Sequence, residues 1–327
     1  MHVGDTTLST RTLALLLAGA GLTLSVTACT GGTTTTPASG AGTPAIARSS
    51  GPASPSGGPS GSAPPVARVQ LAAEDAFPFQ AALLNLKATD DEGNPAADDK
   101  DRFTCGGSLL DESHVLTAGH CFDVEGESPP DPLKDIAVVL GRTTLTSQKG
   151  QVRRITEVKL HPRYSTRPLE YDVAVLTLDK PVTGIAPVTV VPSGDKSLEK
   201  AGNPATFTGW GSLEAHQDGE EFELSSTDGM KQATVPVVAD SACRSAYQKD
   251  PDQPQPNMSV SLCTSTANKI GHCLGDSGGP LFVTAGDQVV QFGIVSFAPG
   301  CGDPRFPSVY ARLSNSDINA FVRESVG

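Results

Sequence analysis

Three short segments of this 327-residue chain carry side chains that could act together on an acyl group. They are "TAGHC" with His120, "YDVAVL" with Asp172, and "GDSGGP" with Ser277. A serine hydroxyl attacks a carbonyl carbon readily only if its proton is removed as the new bond forms. That needs a base, an acid to orient the base, and hydrogen-bond donors for the oxyanion. His120 and Asp172 are of the right types for the first two tasks. The backbone N–H groups of Gly275 and Ser277 suit the third, provided the turn aims both one way, and glycine permits such a turn. Taken singly, each residue is ordinary: a histidine after a strand, an aspartate before one, a serine among glycines in a turn. Their joint presence, in that order, points to acyl transfer.

The order matters because "GDSGG" also fits G-x-S-x-G, the nucleophile elbow of α/β-hydrolases. Those enzymes place serine first, then the acid, then histidine. No histidine follows Ser277 in this chain, so that esterase or lipase reading fails.

The elements that must hold these residues read as strands. From Val66 onward, short runs such as "FQAALLNL", "DIAVVLG", "YDVAVLTL", "KQATVPVV" and "VVQFGIVSF" are rich in Val, Thr, Ile and Phe. Gly, Pro, Asp or Ser separate them. Long stretches of helical periodicity are nearly absent, and the clearest helix candidates are 316–325 and a short stretch near 240–247. The pattern predicts an all-β sandwich or barrels. Residues 89–101 and 214–228 read as acidic surface loops. No internal sequence repeat is visible.

Ahead of this region the composition changes. Residues 13–26 form an apolar run too short for a comfortable membrane span, ending in Val26-Thr27-Ala28-Cys29. It resembles a bacterial lipoprotein signal (1–28), with Cys29 as the lipidated first residue of the mature chain. Residues 29–65, dominated by Thr, Gly, Ser, Pro and Ala, read as a disordered tether. The expected location is the outer face of a bacterial cell membrane, with release by proteolysis. The net charge of −12 argues against nucleic acid and against anionic lipid bound by charge. Of seven cysteines, six lie beyond the tether and none has C-x-x-C spacing. This suits an exported protein with disulfides and speaks against zinc, but composition does not choose among the fifteen possible pairings.

The three motifs together with "CGGSLL" (105–110), "HPRY" (161–164), "GWG" (209–211), "GIVSF" (293–297) and "PSVYARL" (307–313) resemble the trypsin/chymotrypsin serine proteases over 66–327. The resemblance implies two six-stranded antiparallel β-barrels, about 66–190 and 200–315, packed face to face, with a C-terminal helix at 316–325. It implies a monomeric serine endopeptidase acting on protein or peptide substrates without cofactor or metal. His120, Asp172 and Ser277 would be its triad, and Gly275 and Ser277 its oxyanion hole. The implied disulfides are Cys105–Cys121, Cys243–Cys263 and Cys273–Cys301.

By the same resemblance, Gly271 lies at the base of the primary substrate pocket, where trypsin-like members carry aspartate. His272 falls on the wall, Ala298 and Ser308 on the opposite walls, and Leu274 at the edge. Ser296, Phe297 and Ala298 would run beside the substrate backbone as a short strand. With no charge at Gly271, poor cleavage after Lys or Arg is expected. Small or medium uncharged side chains come first. Acidic ones come second, because His272 and Ser308 could donate hydrogen bonds. Asp303 lies nearby but is not spaced to reach the pocket base.

Activation departs from the family pattern. There, cleavage frees an amino group that pairs with the aspartate before the serine, here Asp276. The expected start, near Val66 in "PPVARVQLAA", lacks the usual Ile-Val-Gly-Gly. A cut after Arg68 would begin at Val69. Either the new terminus is atypical or Asp276 has another partner, since an unpaired buried carboxylate is costly. A catalytically silent binding protein on the same fold is the alternative if the oxyanion hole does not mature.

Overall fold

The structure is a computed structural model that describes residues 68–90, 92–123, 131–212 and 226–327. The expected signal, Cys29, the tether and most of the second acidic loop lie outside the described residues. All described residues belong to one compact unit, Ala63–Gly327.

Its first barrel comprises β1 (Gln80–Asn85), β2 (Phe103–Asp111), β3 (His114–Thr117), β4 (Ile136–Leu140), β5 (Gln151–Leu160) and β6 (Ala174–Leu178). Their order around the closed barrel is β1-β2-β3-β6-β5-β4, with β4 pairing back onto β1. Strand alternation explains why β1 is apolar almost throughout. Ala81 and Leu83 point into the barrel with Leu109, Val138 and Leu176. Ala82 and Leu84 point outward onto a second cluster with Phe103, Val139 and Trp210.

The second barrel comprises β7 (Pro204–Gly209), β8 (Lys231–Val238), β9 (Ser261–Thr264), β10 (Pro280–Ala285), β11 (Gln288–Phe297) and β12 (Ser308–Arg312). Its order is β7-β8-β9-β12-β11-β10, closed by β10 on β7. All pairs within both barrels are antiparallel, and the two barrels share one strand order. The two-residue strand Gln70–Leu71 adds to β8, and Thr189–Val190 adds to β11.

Two helices flank the second barrel. Helix α1 (Asp240–Tyr247) buries Cys243 and Tyr247, four residues apart on one face. Helix α2 (Ser316–Ser325) starts at Asn315, whose side chain accepts from the N–H groups of Asp317 and Ile318. That cap satisfies two of the donors a helix start leaves open. Ile318 and Val322 then bury the inner face.

The barrels share a core. Leu116, Ala118, Val173 and Val175 of the first pack with Phe207, Phe292, Ile294 and Tyr310 of the second. Fully burying such an aliphatic or phenyl side chain contributes about 1.5–3 kcal/mol. Buried polar pairs add register across the junction. Thr208 Oγ1 donates to Gln80 Oε1 at 2.7 Å, and Ser108 Oγ donates to Gln291 Oε1 at 2.6 Å.

Candidate active site

His120 lies in a single 3₁₀ turn, Gly119–Cys121, directly after β3. Two features fix that turn. A disulfide ties Cys121 to Cys105 on β2, and Gly119 lets the ring of Tyr164 close over the backbone. A Cβ at Gly119 would lie 2.8 Å from Tyr164 Cδ2. Asp172 precedes β6 and is almost fully buried. Its Oδ1 accepts the His120 backbone N–H at 2.9 Å, and its Oδ2 meets His120 Nδ1 at 2.8 Å. Ser296 Oγ on β11 donates to the same Oδ2 at 2.6 Å.

Burial alone would lower the His120 pKa, but the Asp172 charge and hydrogen bond outweigh it and hold it above the ordinary 6.5. Burial likewise opposes ionisation of Asp172. The His120 charge, with hydrogen bonds from His120 and Ser296, prevails and holds Asp172 below the usual carboxylate range. A charged Asp172 accepts and does not donate, so Nδ1 carries the proton and Nε2 is the basic nitrogen.

Ser277 comes from the turn between the Cys273–Cys301 disulfide and β10. This turn is pressed against the first barrel. Gly106 N–H donates to Ser277 O at 2.7 Å. At Gly278 (φ +78°) a Cβ would fall 2.2 Å from Thr117 Oγ1 and 2.5 Å from Gly106 O. Thus the glycines of "CGGS" and "DSGGP" are paired by a backbone-to-backbone approach between barrels. Gly275 also has a left-handed backbone, φ +92°. Among the described residues the N–H groups of Gly275 and Ser277 donate to no backbone carbonyl.

His120, Ser277, Ser296, Phe297, Ala298 and Leu274 share one cleft of about 540 Å³. No hydrogen bond joins Ser277 Oγ to His120 among the described residues; in free enzymes catalytic hydrogen bonds are often long and tighten only in the substrate complex. Gly271 and Ser308 do not reach the lining and pack against each other behind it. A Cβ at Gly271 would lie 2.6 Å from Ser308 Oγ, and that buried Oγ has no hydrogen-bond partner among the described residues.

His272 turns inward. It is buried, its Nε2 faces Val309 O at 3.2 Å, and its ring meets Tyr310 edge to face at 5.0 Å. Burial lowers its pKa to about 4. A neutral ring whose one N–H is engaged by a carbonyl has only an acceptor left. This corrects the expectation that His272 could donate to a ligand carboxylate. Asp303, also buried, is held by the Arg305 guanidinium at 2.5–3.1 Å.

The main feature missed in the sequence is Lys231, at the start of β8. Its side chain is 2% exposed and its Nζ lies 2.9 Å from Asp276 Oδ2, which is wholly buried. The signal was present in the parity of "KQATVPVV". Lys231, Ala233, Val235 and Val237 are the inward residues, and a lysine in that series requires an internal acid. The second role of Ser296, as donor to Asp172, was also missed. It follows only from the β11 register against the Asp172 loop. Cys105, His120 and Cys121 form one close grouping of metal-ligand types, but both sulfurs are in the disulfide.

Two closed six-stranded antiparallel barrels meeting at such a cleft define the trypsin-like fold. The family model described as Trypsin matches residues 68–320, and the chain belongs to that family. It is 35% identical over 209 residues to a trypsin of Saccharopolyspora erythraea, covering 64% of this chain and 82% of that protein. It is 35% identical over 212 residues to transmembrane protease serine 9 of Rattus norvegicus, covering 64% of this chain and 18% of that one. Serine protease 56 of Mus musculus is 32% identical over 216 residues, with 64% and 33% covered. The chain is accordingly a serine-type endopeptidase.

Proposed function

We propose that peptide hydrolysis proceeds through an acyl-enzyme on Ser277, with His120 as general base and Asp172 as its orienting acid. The observation that carries this reading is the pairing of buried Asp172 with His120, which opens onto the same cleft as Ser277. His120 Nε2 takes the Ser277 proton as Oγ attacks, and Asp172 stabilises the imidazolium that results. The N–H groups of Gly275 and Ser277 receive the oxyanion. His120 then returns the proton to the leaving amine, and a water repeats the sequence on the acyl carbon. Ser296, Phe297 and Ala298 pair with the substrate backbone. The Ser296 hydroxyl serves Asp172, so only its main chain is available to substrate.

Small or medium uncharged side chains before the scissile bond suit the cleft best. Its inner wall is neutral His272 beside the Cys273–Cys301 disulfide. Asp303, next to the Gly302 that packs against Gly271, is engaged by Arg305. Acidic side chains fall behind because His272 lacks a free N–H. The three disulfides suit an oxidising, extracytoplasmic compartment, where Cys29 and residues 30–65 would tether a monomer to the membrane face. Among the described residues no helix is long and apolar enough to cross a membrane.

Ser277→Ala tests the assignment. Turnover should fall by about 10⁶-fold, as when a triad nucleophile is removed, with the melting temperature nearly unchanged. Undiminished hydrolysis would refute it. A peptide library varied before the cut should favour Ala, Val or Leu, and strong cleavage after Arg would overturn the pocket reading.

A further inference from the structure

Asp276, the residue before Ser277, has a full set of partners inside the second barrel. Its Oδ1 accepts from Gly211 N–H at 2.9 Å, and its Oδ2 accepts from Cys273 N–H at 2.8 Å and from Lys231 Nζ at 2.9 Å. The Lys231 ammonium is equally complete. Its two other hydrogens go to Gly211 O at 2.5 Å and Ser212 O at 2.8 Å. Three donors meet three acceptors, the condition under which a buried cation is tolerated.

The surrounding backbone is shaped to seat this pair. A Cβ at Gly209 would fall 2.3 Å from Asp276 Oδ1, and one at Gly211 would fall 2.8 Å from Asp276 Cγ. Both flanking residues of "GWG" therefore have to be glycine. Ser212 N–H also holds Leu274 O at 3.1 Å. The carboxylate thus anchors the segment from Cys273 to Ser277 that carries both oxyanion donors.

The segment around the supposed cleavage site runs elsewhere. Gln70 and Leu71 pair with Gln232 and Lys231 as an added strand, and Leu71 is 64% exposed. Ala72 N–H continues the pairing to Met230 O at 2.8 Å. An amino group freed at Val69 would begin beside this surface strand, while the site against Asp276 is filled by the Lys231 side chain.

We infer that Lys231 is a positioning residue that supplies the internal cation for Asp276, so that the oxyanion turn is formed in the uncleaved chain. Cleavage near Arg68 then separates the protease domain from its tether without activating it. This rests on Ser277 being the nucleophile, and the experiment separates the two claims.

The full chain, solubilised in detergent, is reacted with a fluorophosphonate probe, and labelled species are resolved by intact mass. The uncleaved chain should label within about twofold of the rate of chains that begin between residues 66 and 69. Labelling confined to the cleaved chains would overturn the inference while leaving the Ser277 assignment standing. Labelling that survives Ser277→Ala would instead overturn the assignment.

Lys231→Met should reduce kcat and labelling by about 100-fold or more, the scale of losing an oxyanion donor, with KM little changed. It should also weaken a peptidyl trifluoromethyl ketone, which forms an oxyanion, far more than the corresponding alcohol. Equal weakening of both would assign Lys231 a purely structural role and sink the proposal. Lys231→Arg should recover part of kcat. If Lys231→Met does not fold, the Lys231→Met/Asp276→Asn pair removes both charges together. That protein should fold and remain slow, and wild-type labelling by it would contradict the proposal.

Discussion

Two buried aspartates flank the catalytic cleft, and they are built alike. Each accepts a backbone N–H with one oxygen: Asp172 from His120, Asp276 from Gly211. Each gives its other oxygen to a nitrogenous side chain and to a second donor. For Asp172 these are His120 Nδ1 and Ser296 Oγ; for Asp276 they are Lys231 Nζ and Cys273 N–H. The difference lies in the partner. The His120 side chain is 24% exposed at the cleft, and in the proposed mechanism it gains and loses a proton in each cycle. The Lys231 side chain is 2% exposed with every hydrogen engaged, so it is fixed in place. On the proposed mechanism, the same carboxylate environment serves a moving proton in one barrel and a static turn in the other.

The largest effect should come from breaking the first pair. Asp172→Asn should lower kcat by about 10⁴-fold, because the amide leaves the imidazole in the wrong tautomer, with thermal stability changing much less. Breaking the second pair should reverse that emphasis. Asp276→Asn leaves the Lys231 ammonium buried without its counter-charge, and loss of one partner from a buried pair costs about 3–5 kcal/mol. Denaturant unfolding should show that loss alongside slow turnover. Equal stability losses in the two variants would erase the distinction between them.

A smaller effect concerns pH. General-base catalysis needs neutral His120, and Asp172 raises its pKa above 6.5. Thus kcat/KM should fall as pH falls through an apparent value above 6.5. Ser296→Ala, which withdraws one hydrogen bond from Asp172, should alter kcat several-fold and displace that limb. The raised pKa also means the pair's contribution to stability is full from the unfolded His120 value of about 6.5 down to the acidic range in which Asp172 takes up its proton. That contribution is lost as pH rises through the folded value.

Much of the fold was legible in sequence because alternating β-branched runs and punctuating glycines have a local cause. Helices α1 and α2 fall at 240–247 and 316–325, the two clearest helix candidates. The common strand order of the barrels was not legible, since order depends on which strands pair and not on which residues fill them. "TAGHC", "YDVAVL" and "GDSGGP" indicated which side chains to bring together, and the cleft does hold His120 and Ser277 with Asp172 behind. What escaped were contacts made across the sheet. These are Lys231 reaching from β8 to Asp276, Ser296 reaching from β11 to Asp172, and His272 turned onto Val309 and Tyr310. A lone lysine reads as surface until strand parity is counted, and a wall histidine reads as a donor until its N–H has a partner.

The central claim is that the acyl group passes through Ser277. Rapid-quench mass spectrometry during turnover of a slow peptide ester tests it most directly. The account requires a transient adduct on the peptide containing Ser277, formed in a burst faster than steady-state turnover and absent in His120→Ala and Ser277→Ala. A burst whose adduct maps to another residue, or turnover that continues in Ser277→Ala, would contradict it.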